Sequence, residues 1–273
     1  MKTYSSHTPS RRNMTGSDYT GLSDVRPHKP LLKRLKSHAG RNSQGRITTR
    51  HQGGGNKKMY RMVDFKQNRL NAKAIVETLE YDPYRTAFIA LVKNDDGTKS
   101  YVLAPEGLKV GAQIVTAEST PLTTGNRMKL KNIPVGYQVY NVELHPGRGG
   151  QFARSAGSYA ELLANADGYT DLKLGSGEVR RVLWDGLASL GQVSNSEWNL
   201  VTIGKAGRSR WLGIRPTVRG KAMNPVDHPY GGGEGSQPRG TRKPKTMWGK
   251  VTGGHKTRNR KNRSNQFIVK RRK

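Results

Sequence analysis

Nearly all of the positive excess of this chain lies outside its middle. Residues 1–60 carry 13 Lys or Arg against 2 Asp or Glu, residues 201–273 carry 20 against 2, and residues 61–200 carry 16 against 15. The formal net charge of +30 therefore belongs to two ends that flank a balanced centre. Apolar patterning follows the same division. The centre holds most of the periodic hydrophobic segments, whereas the ends are rich in Gly, Pro, Asn, Arg and Lys. Such ends bury too little apolar surface to offset an ordering cost of about 1–2 kcal/mol per residue. The sequence thus predicts a folded centre and two basic extensions that take their shape on a partner, with plain solubilising tails as the alternative.

An excess of this size requires a polyanion, and nucleic acid is the first choice. A membrane surface is the competitor. No apolar run reaches the ~18 residues of a spanning helix, and the Gly- and Pro-rich basic stretches do not form amphipathic helices. There is no Cys, hence no disulfide framework and no Cys-based zinc site. The seven His lack metal-ligand spacing, so neither a metal nor a cofactor is expected. The Ser/Thr-rich start, Met1 to Asp18 with Arg11 and Arg12, faintly resembles a transit peptide but lacks the apolar stretch of a secretory signal.

The centre reads as β structure. Ala72–Tyr81, Thr86–Lys93, Lys99–Leu103 and Ala112–Ala117 have strand length and β-branched or aromatic content, and Asn94-Asp95-Asp96-Gly97 supplies a tight turn. After Pro121 the pattern resumes with Tyr137–Leu144, Tyr169–Leu174, the turn Gly175-Ser176-Gly177, Glu178–Trp184 and Leu187–Val193. Only Tyr159–Ala164 reads as helix. Short strands at this spacing predict an all-β fold of two small barrels rather than one sandwich, with a boundary near Pro121 to Met128. The expected organisation is a basic extension over 1–60, barrels over 61–122 and 123–200, and a second basic extension over 201–273.

Four stretches carry the candidate binding chemistry. The first is Arg46 to Lys58, in which Gly53, Gly54 and Gly55 permit close backbone approach and Arg46, Arg50, His51, Lys57 and Lys58 flank them. It lacks the Lys-Ser/Thr ending of a P-loop, and a flexible linker is the alternative. In the second, Pro146 to Gly157, the elements Arg148, Gly149, Gly150 and Arg154 interrupt a neutral region, which suits a phosphate-contacting loop or an ordinary surface loop. The third alternates Lys205, Arg208, Arg210, Arg215 and Arg219 around Trp211. The indole could stack on a base or pack against a barrel. The fourth, Met223 to Gly235, holds Asn224, His228, Gly231, Gly232 and Gly233 beside Asp227 and Glu234. His228 is the one candidate general base. Neighbouring side chains on an extended chain point apart, so Asp227 is poorly placed to orient it. No Gly-x-Ser-x-Gly nucleophile accompanies it. The tracts Gly253–Arg263 and Lys270–Lys273 complete the basic ends, with a nuclear-import signal as the runner-up reading.

Seven segments together carry a family resemblance: GRITTRHQGGGNKK (45–58), YRMVDFK (60–66), LEYDPYR (79–85), LAPEGLKVG (103–111), NIPVGYQVYNVELHPGRGGQFARSAGSY (132–159), GKAGRSRWLGIRPTVRGKAMNPVDHPYGGGEG (204–235) and KTRNRKNRSNQFIVKRRK (256–273). In order and over nearly the whole length, the chain resembles the universal large-subunit ribosomal protein number two family, in its bacterial or organellar form. The resemblance implies an OB-fold RNA-binding domain followed by an SH3-like barrel, with extensions that thread into large-subunit ribosomal RNA. It implies a primary RNA binder in subunit assembly, close to the peptidyl-transferase region and in contact with neighbouring ribosomal proteins and with the small subunit. The location implied is the ribosome, in the cytoplasm or an organelle matrix.

On this reading Arg61, Arg85, Trp248, Lys256, Arg258 and Arg260 join the expected RNA contacts. No cofactor is implied beyond magnesium associated with the RNA. His228 matches the histidine of the loop that members direct toward the catalytic RNA, in a family whose members are not enzymes. Tyr230 departs from the second His common there. The stretch Ser236 to Thr246 fits the family less closely, and His7 to Arg12 matches its ordinary start, against a transit peptide. A general nucleic-acid compacting protein and an enzyme-like aid to peptide transfer by His228 are the alternatives.

Overall fold

A computed structural model describes residues 1–235, 238–254 and 256–272. Ser236 and Gln237, and His255 and Lys273 of the basic tracts, lie outside the described residues.

Eleven strands form one continuous ladder. In chain order they are β1 (Ala72–Glu80), β2 (Ile89–Asn94), β3 (Lys99–Leu103), β4 (Gln113–Thr116), β5 (Arg127–Lys129), β6 (Gln138–Tyr140), β7 (Ala160–Ala166), β8 (Tyr169–Leu174), β9 (Val179–Leu183), β10 (Leu187–Leu190) and β11 (Ile268–Lys270). Their spatial order is β11-β9-β8-β7-β6-β10-β5-β4-β1-β2-β3. All neighbours are antiparallel except β4 and β5, which meet in parallel through the single pair Thr116–Arg127. That seam separates two strand groups, each with its own core.

In the first group β1 pairs with β2 through Ala74–Glu80 and with β4 through Ala72–Ile75. A bulge between Val76 and Thr78 bends the strand so that it serves both neighbours. Val76, Ala90, Val92, Val102 and Ile114 form the core inside it. The alternate residues Ile89 and Leu91 of β2 and Tyr101 of β3 are also buried, under Leu31 and Val63. A strand buried on both faces reads as an unbroken apolar run, as Ile89–Val92 does. The second group, β5 to β10, encloses Met128, Leu130, Val139, Leu162, Leu172, Val182 and Leu190.

The turn at Asn94–Gly97 forms as expected, with Gly97 at φ 77°. Two expectations need correction. Tyr159–Ala164 is not helical. Its residues Ala160–Ala164 lie in β7, whose register with β6 and β8 buries Ala160 and Leu162, and packing on both sides overrides a weak helical preference. Tyr137–Leu144 is not one strand. Asn141 takes φ 49° and is buried, so β6 stops at Tyr140 and the chain resumes as Val142–Glu143, paired with Gly150–Phe152.

The chain forms two compact units. The first is Met1–Lys36, Lys57–Ala206 and Ser264–Lys273, and the second is Ser37–Asn56 with Gly207–Arg263. Leu32–Lys33 pairs with Tyr60–Arg61 over the outer side of the first strand group, and β11 pairs with β9 through Val179 and Arg180. Both ends of the sequence therefore contribute to the β body. In the second unit no described residue is buried. Its shape rests on backbone hydrogen bonds and glycine turns, and its larger apolar side chains, such as Ile47, Leu212 and Ile214, stay exposed.

Candidate nucleic-acid interface

The Arg148 loop stands over a buried polar cradle. Arg127 of β5 and Glu143 are both fully buried and lie 3.3 Å apart. Arg127 donates to the Asn141 carbonyl at 2.8 Å and to Ser189 at 3.3 Å. Burial pushes its pKa below that of a free arginine, and Glu143 opposes the shift. The Glu143 carboxylate also accepts three backbone amides: Gly149 at 3.1 Å, Gly147 at 3.1 Å and Leu187 at 3.2 Å. One buried anion thus fixes the backbone from 147 to 149 and leaves Arg148 exposed at its crest.

Gly149 and Gly150 are both buried, and the Gly150 amide donates to the Phe65 carbonyl at 2.8 Å. A Cβ at Gly150 would overlap the side chain and carbonyl of Asn141. Gly150→Ala should therefore destabilise the β body by about 1–3 kcal/mol, read as a lowered urea midpoint of the full chain.

Beside this loop, Phe65 lies under two cations. Arg154 is exposed with its guanidinium 4.6 Å from the ring, and Arg85 is 5.3 Å from it. Arg85 is further tied to Asp82, to the Tyr60 hydroxyl at 2.9 Å and to the Arg61 carbonyl at 3.4 Å. Its first role is to hold the 60–65 segment in place. Arg61 is half-buried and donates to the Met59 carbonyl at 3.0 Å. Lys57 and Lys58 are exposed, the latter 4.5 Å above the Tyr84 ring.

In the second unit the segments 37–56 and 207–263 pair directly. Gln52 bridges Ile214, the Arg215 amide donates to the His51 carbonyl at 3.0 Å, and the Asn56 amide donates to the Trp211 carbonyl at 3.0 Å. The three glycines explain themselves here. Gly53 donates to the Gly213 carbonyl at 3.0 Å, and a Cβ on Gly55 would lie 3.0–3.1 Å from the backbone of Trp211 and Gly213. Gly53 and Gly55 thus serve close packing of chain on chain, while Gly54, with φ 68°, faces open space. Arg46, Arg50, Lys205, Arg210, Arg215 and Arg219 are exposed, as are Lys256, Arg258 and Arg260, and Arg208 is half-buried. Trp211 leaves 53% of its surface exposed and Trp248 leaves 71%.

The 223–232 loop is closed on itself. The Asn224 carbonyl accepts the amides of Asp227 at 3.0 Å and His228 at 3.3 Å, and the Gly232 amide donates to the Met223 carbonyl at 3.1 Å. His228 Nδ1 accepts the Tyr230 amide at 3.1 Å, and the two rings stand 4.7 Å apart. Gly220 gives the ring its space, since a Cβ there would lie 2.6 Å from it. Gly231 has room for no side chain beside Asn224, and Gly233 is exposed.

Nine of the fifteen acidic residues of 61–200 form ion pairs with Lys or Arg of the same stretch, among them Lys99–Glu77, Lys173–Glu161 and Arg181–Asp171. Among the described residues Arg46, Arg50, Lys57, Lys58, Arg148, Arg154, Arg210, Arg215 and Arg219 pair with no carboxylate. Among the described residues no group of three or more His, Cys, Asp or Glu could hold a metal ion, and no helix is long and apolar enough to cross a membrane.

Sequence reasoning missed Glu143, Arg127 and Asn141. The available signal was a lone carboxylate at the end of an apolar run, immediately before a Gly-rich basic loop.

Two family comparisons agree with this geometry. Residues 28–116 match Ribosomal Proteins L2, RNA binding N-terminal domain, and residues 123–249 match Ribosomal Proteins L2, C-terminal domain. Between them the matches take in most of the chain, and the first ends with β4 while the second begins just before β5. With its OB-type first barrel, its SH3-like second barrel and its surplus of unpaired surface cations, the chain belongs to the ribosomal protein L2 family, the rRNA-binding structural proteins of the large ribosomal subunit.

Proposed function

We propose that the protein is a bacterial or organellar L2 that anchors large-subunit rRNA through the unpaired cations of its loops while the β body holds those loops in register. The observation that carries this reading is the contrast in charge pairing. Nine of the fifteen carboxylates of 61–200 pair with Lys or Arg of that same stretch, whereas nine exposed Arg and Lys of the Arg46–Lys58, Arg148–Arg154 and Arg210–Arg219 stretches have no carboxylate partner among the described residues. Phosphate oxygens of closely packed RNA helices are their natural partners. A-form RNA hides its base edges in a deep groove, so recognition rests on backbone and shape.

On this reading the protein binds rRNA early in subunit assembly, supports the peptidyl-transferase region and touches neighbouring ribosomal proteins and the small subunit. Residues 61–122 act as the RNA-binding barrel and 123–200 as the second barrel, within a cytoplasmic or organelle ribosome. Magnesium enters only as the RNA's own counterion. The protein is not an enzyme. His228 offers Nδ1 to the Tyr230 amide, so a neutral ring carries its proton on Nε2 and presents a donor, not a base. Asn224, His228 and the Gly231–Gly233 turn shape a plug.

Sedimentation of a cell extract tests this reading. The protein should travel with large ribosomal particles at low and moderate salt and leave them only at high salt. A protein that stays at the top of the gradient would overturn the proposal.

A further inference from the structure

We propose that Trp248 is a stacking platform for one unpaired base of the large-subunit RNA, with Arg50 as its cationic backing. This rests on the anchoring function above and adds to it a discrete contact that charge alone does not supply.

Residues Pro244–Thr252 form a small hairpin. The Thr246 amide donates to the Lys250 carbonyl at 2.8 Å, the Gly249 amide to the Thr246 carbonyl at 3.0 Å and the Thr252 amide to the Pro244 carbonyl at 2.8 Å. Gly249 takes φ 76°, a left-handed turn conformation that glycine adopts without strain. The base of the hairpin is fixed by the Tyr230 hydroxyl, which accepts the Lys245 amide. This places Trp248 at the tip, 71% exposed on an ordered turn. A large indole held in water with no core to enter is an unfavourable arrangement for a free protein.

The Arg50 guanidinium lies 5.8 Å from the centre of the Trp248 ring. A cation on one face polarises the indole and leaves the aromatic system open to a second planar group. The chemistry around the ring selects that group. Lys245 and Lys250 belong to the same hairpin, and no acidic residue follows Glu234 in the sequence. The occupant must therefore bring negative charge and a flat π face together, which is a nucleotide. A base inside a duplex already has stacking partners on both sides, so the base must come from a bulge, loop or junction.

The test compares full-length wild type with Trp248→Ala, Trp248→Phe and Trp248→Leu on a large-subunit rRNA fragment. Trp248→Ala should weaken binding by about 5- to 150-fold, the range for one stacked base. The slope of log K against log salt should stay unchanged, because no cation is removed. Trp248→Phe should retain most of the affinity, whereas Trp248→Leu, apolar and bulky but not aromatic, should lose it as Ala does. Wild-type affinity in the Ala variant, or full recovery by Leu, would overturn the platform and leave the anchoring reading standing. A wild-type protein without measurable rRNA affinity would instead sink the anchoring reading itself.

Discussion

Glu143→Ala should destabilise the β body by about 3–5 kcal/mol, the cost of stranding one member of a buried ion pair. Both partners are fully buried, so water cannot reach Arg127 to take the place of the lost carboxylate. The same substitution removes the acceptor for the amides of Gly147, Gly149 and Leu187, and each buried orphan donor adds its own penalty. Urea unfolding of the full chain would read the loss as a midpoint lowered by about 1–5 M, given slopes of about 1–3 kcal/mol/M. The double substitution Arg127→Met with Glu143→Leu separates two roles. If the pair mattered only as a pair, an apolar replacement would be nearly neutral. Because the carboxylate also serves three amides, the double variant should stay well below wild type. Recovery to wild-type stability would refute the assignment of Glu143 as the anchor of the Arg148 loop.

Binding to an rRNA fragment should be among the most salt-sensitive properties of this protein. Nine unpaired cations facing phosphates give a slope of log K against log salt of about −6 to −8, from about −0.7 to −0.9 per phosphate. Affinity should then fall by about 10³- to 10⁵-fold between 50 and 200 mM salt. Arg148→Ala should reduce the slope by about 1 and leave preferences among RNA sequences unaltered, as expected of a phosphate contact. A slope near zero would mean that these side chains do not face the sugar–phosphate backbone.

Much of the β body was legible because its signals are local. Lys99–Leu103 and Tyr169–Leu174 occur as strands with the predicted ends, since β-branched runs and Asp-Gly or Gly-x-Gly turns specify themselves. What was not legible depends on distant partners. Tyr159–Ala164 carries Glu, Leu and Ala, and only its neighbours β6 and β8 make it a strand. Glu143 reads in sequence as one more acidic residue of a neutral centre, because nothing local says that its oxygens face Arg127 and three amides. The candidate site shows the same limit. Exposed cations were found from composition alone, but the role of Gly149, Gly150, Gly53 and Gly55 as spacers between chain segments required coordinates.

The second unit has no loose end. Segment 37–56 leaves the first unit after Lys36 and rejoins it at Lys57, and segment 207–263 rejoins it at Ser264, where β11 fastens the return against β9. The fastening of 207–263 is a two-residue strand pairing, not a covalent bond, so it can open and re-form. For the unit of 37–56 and 207–263 to keep its closed path, that short pairing has to hold, and its strength sets how freely the segment can move as a loop or as a tail.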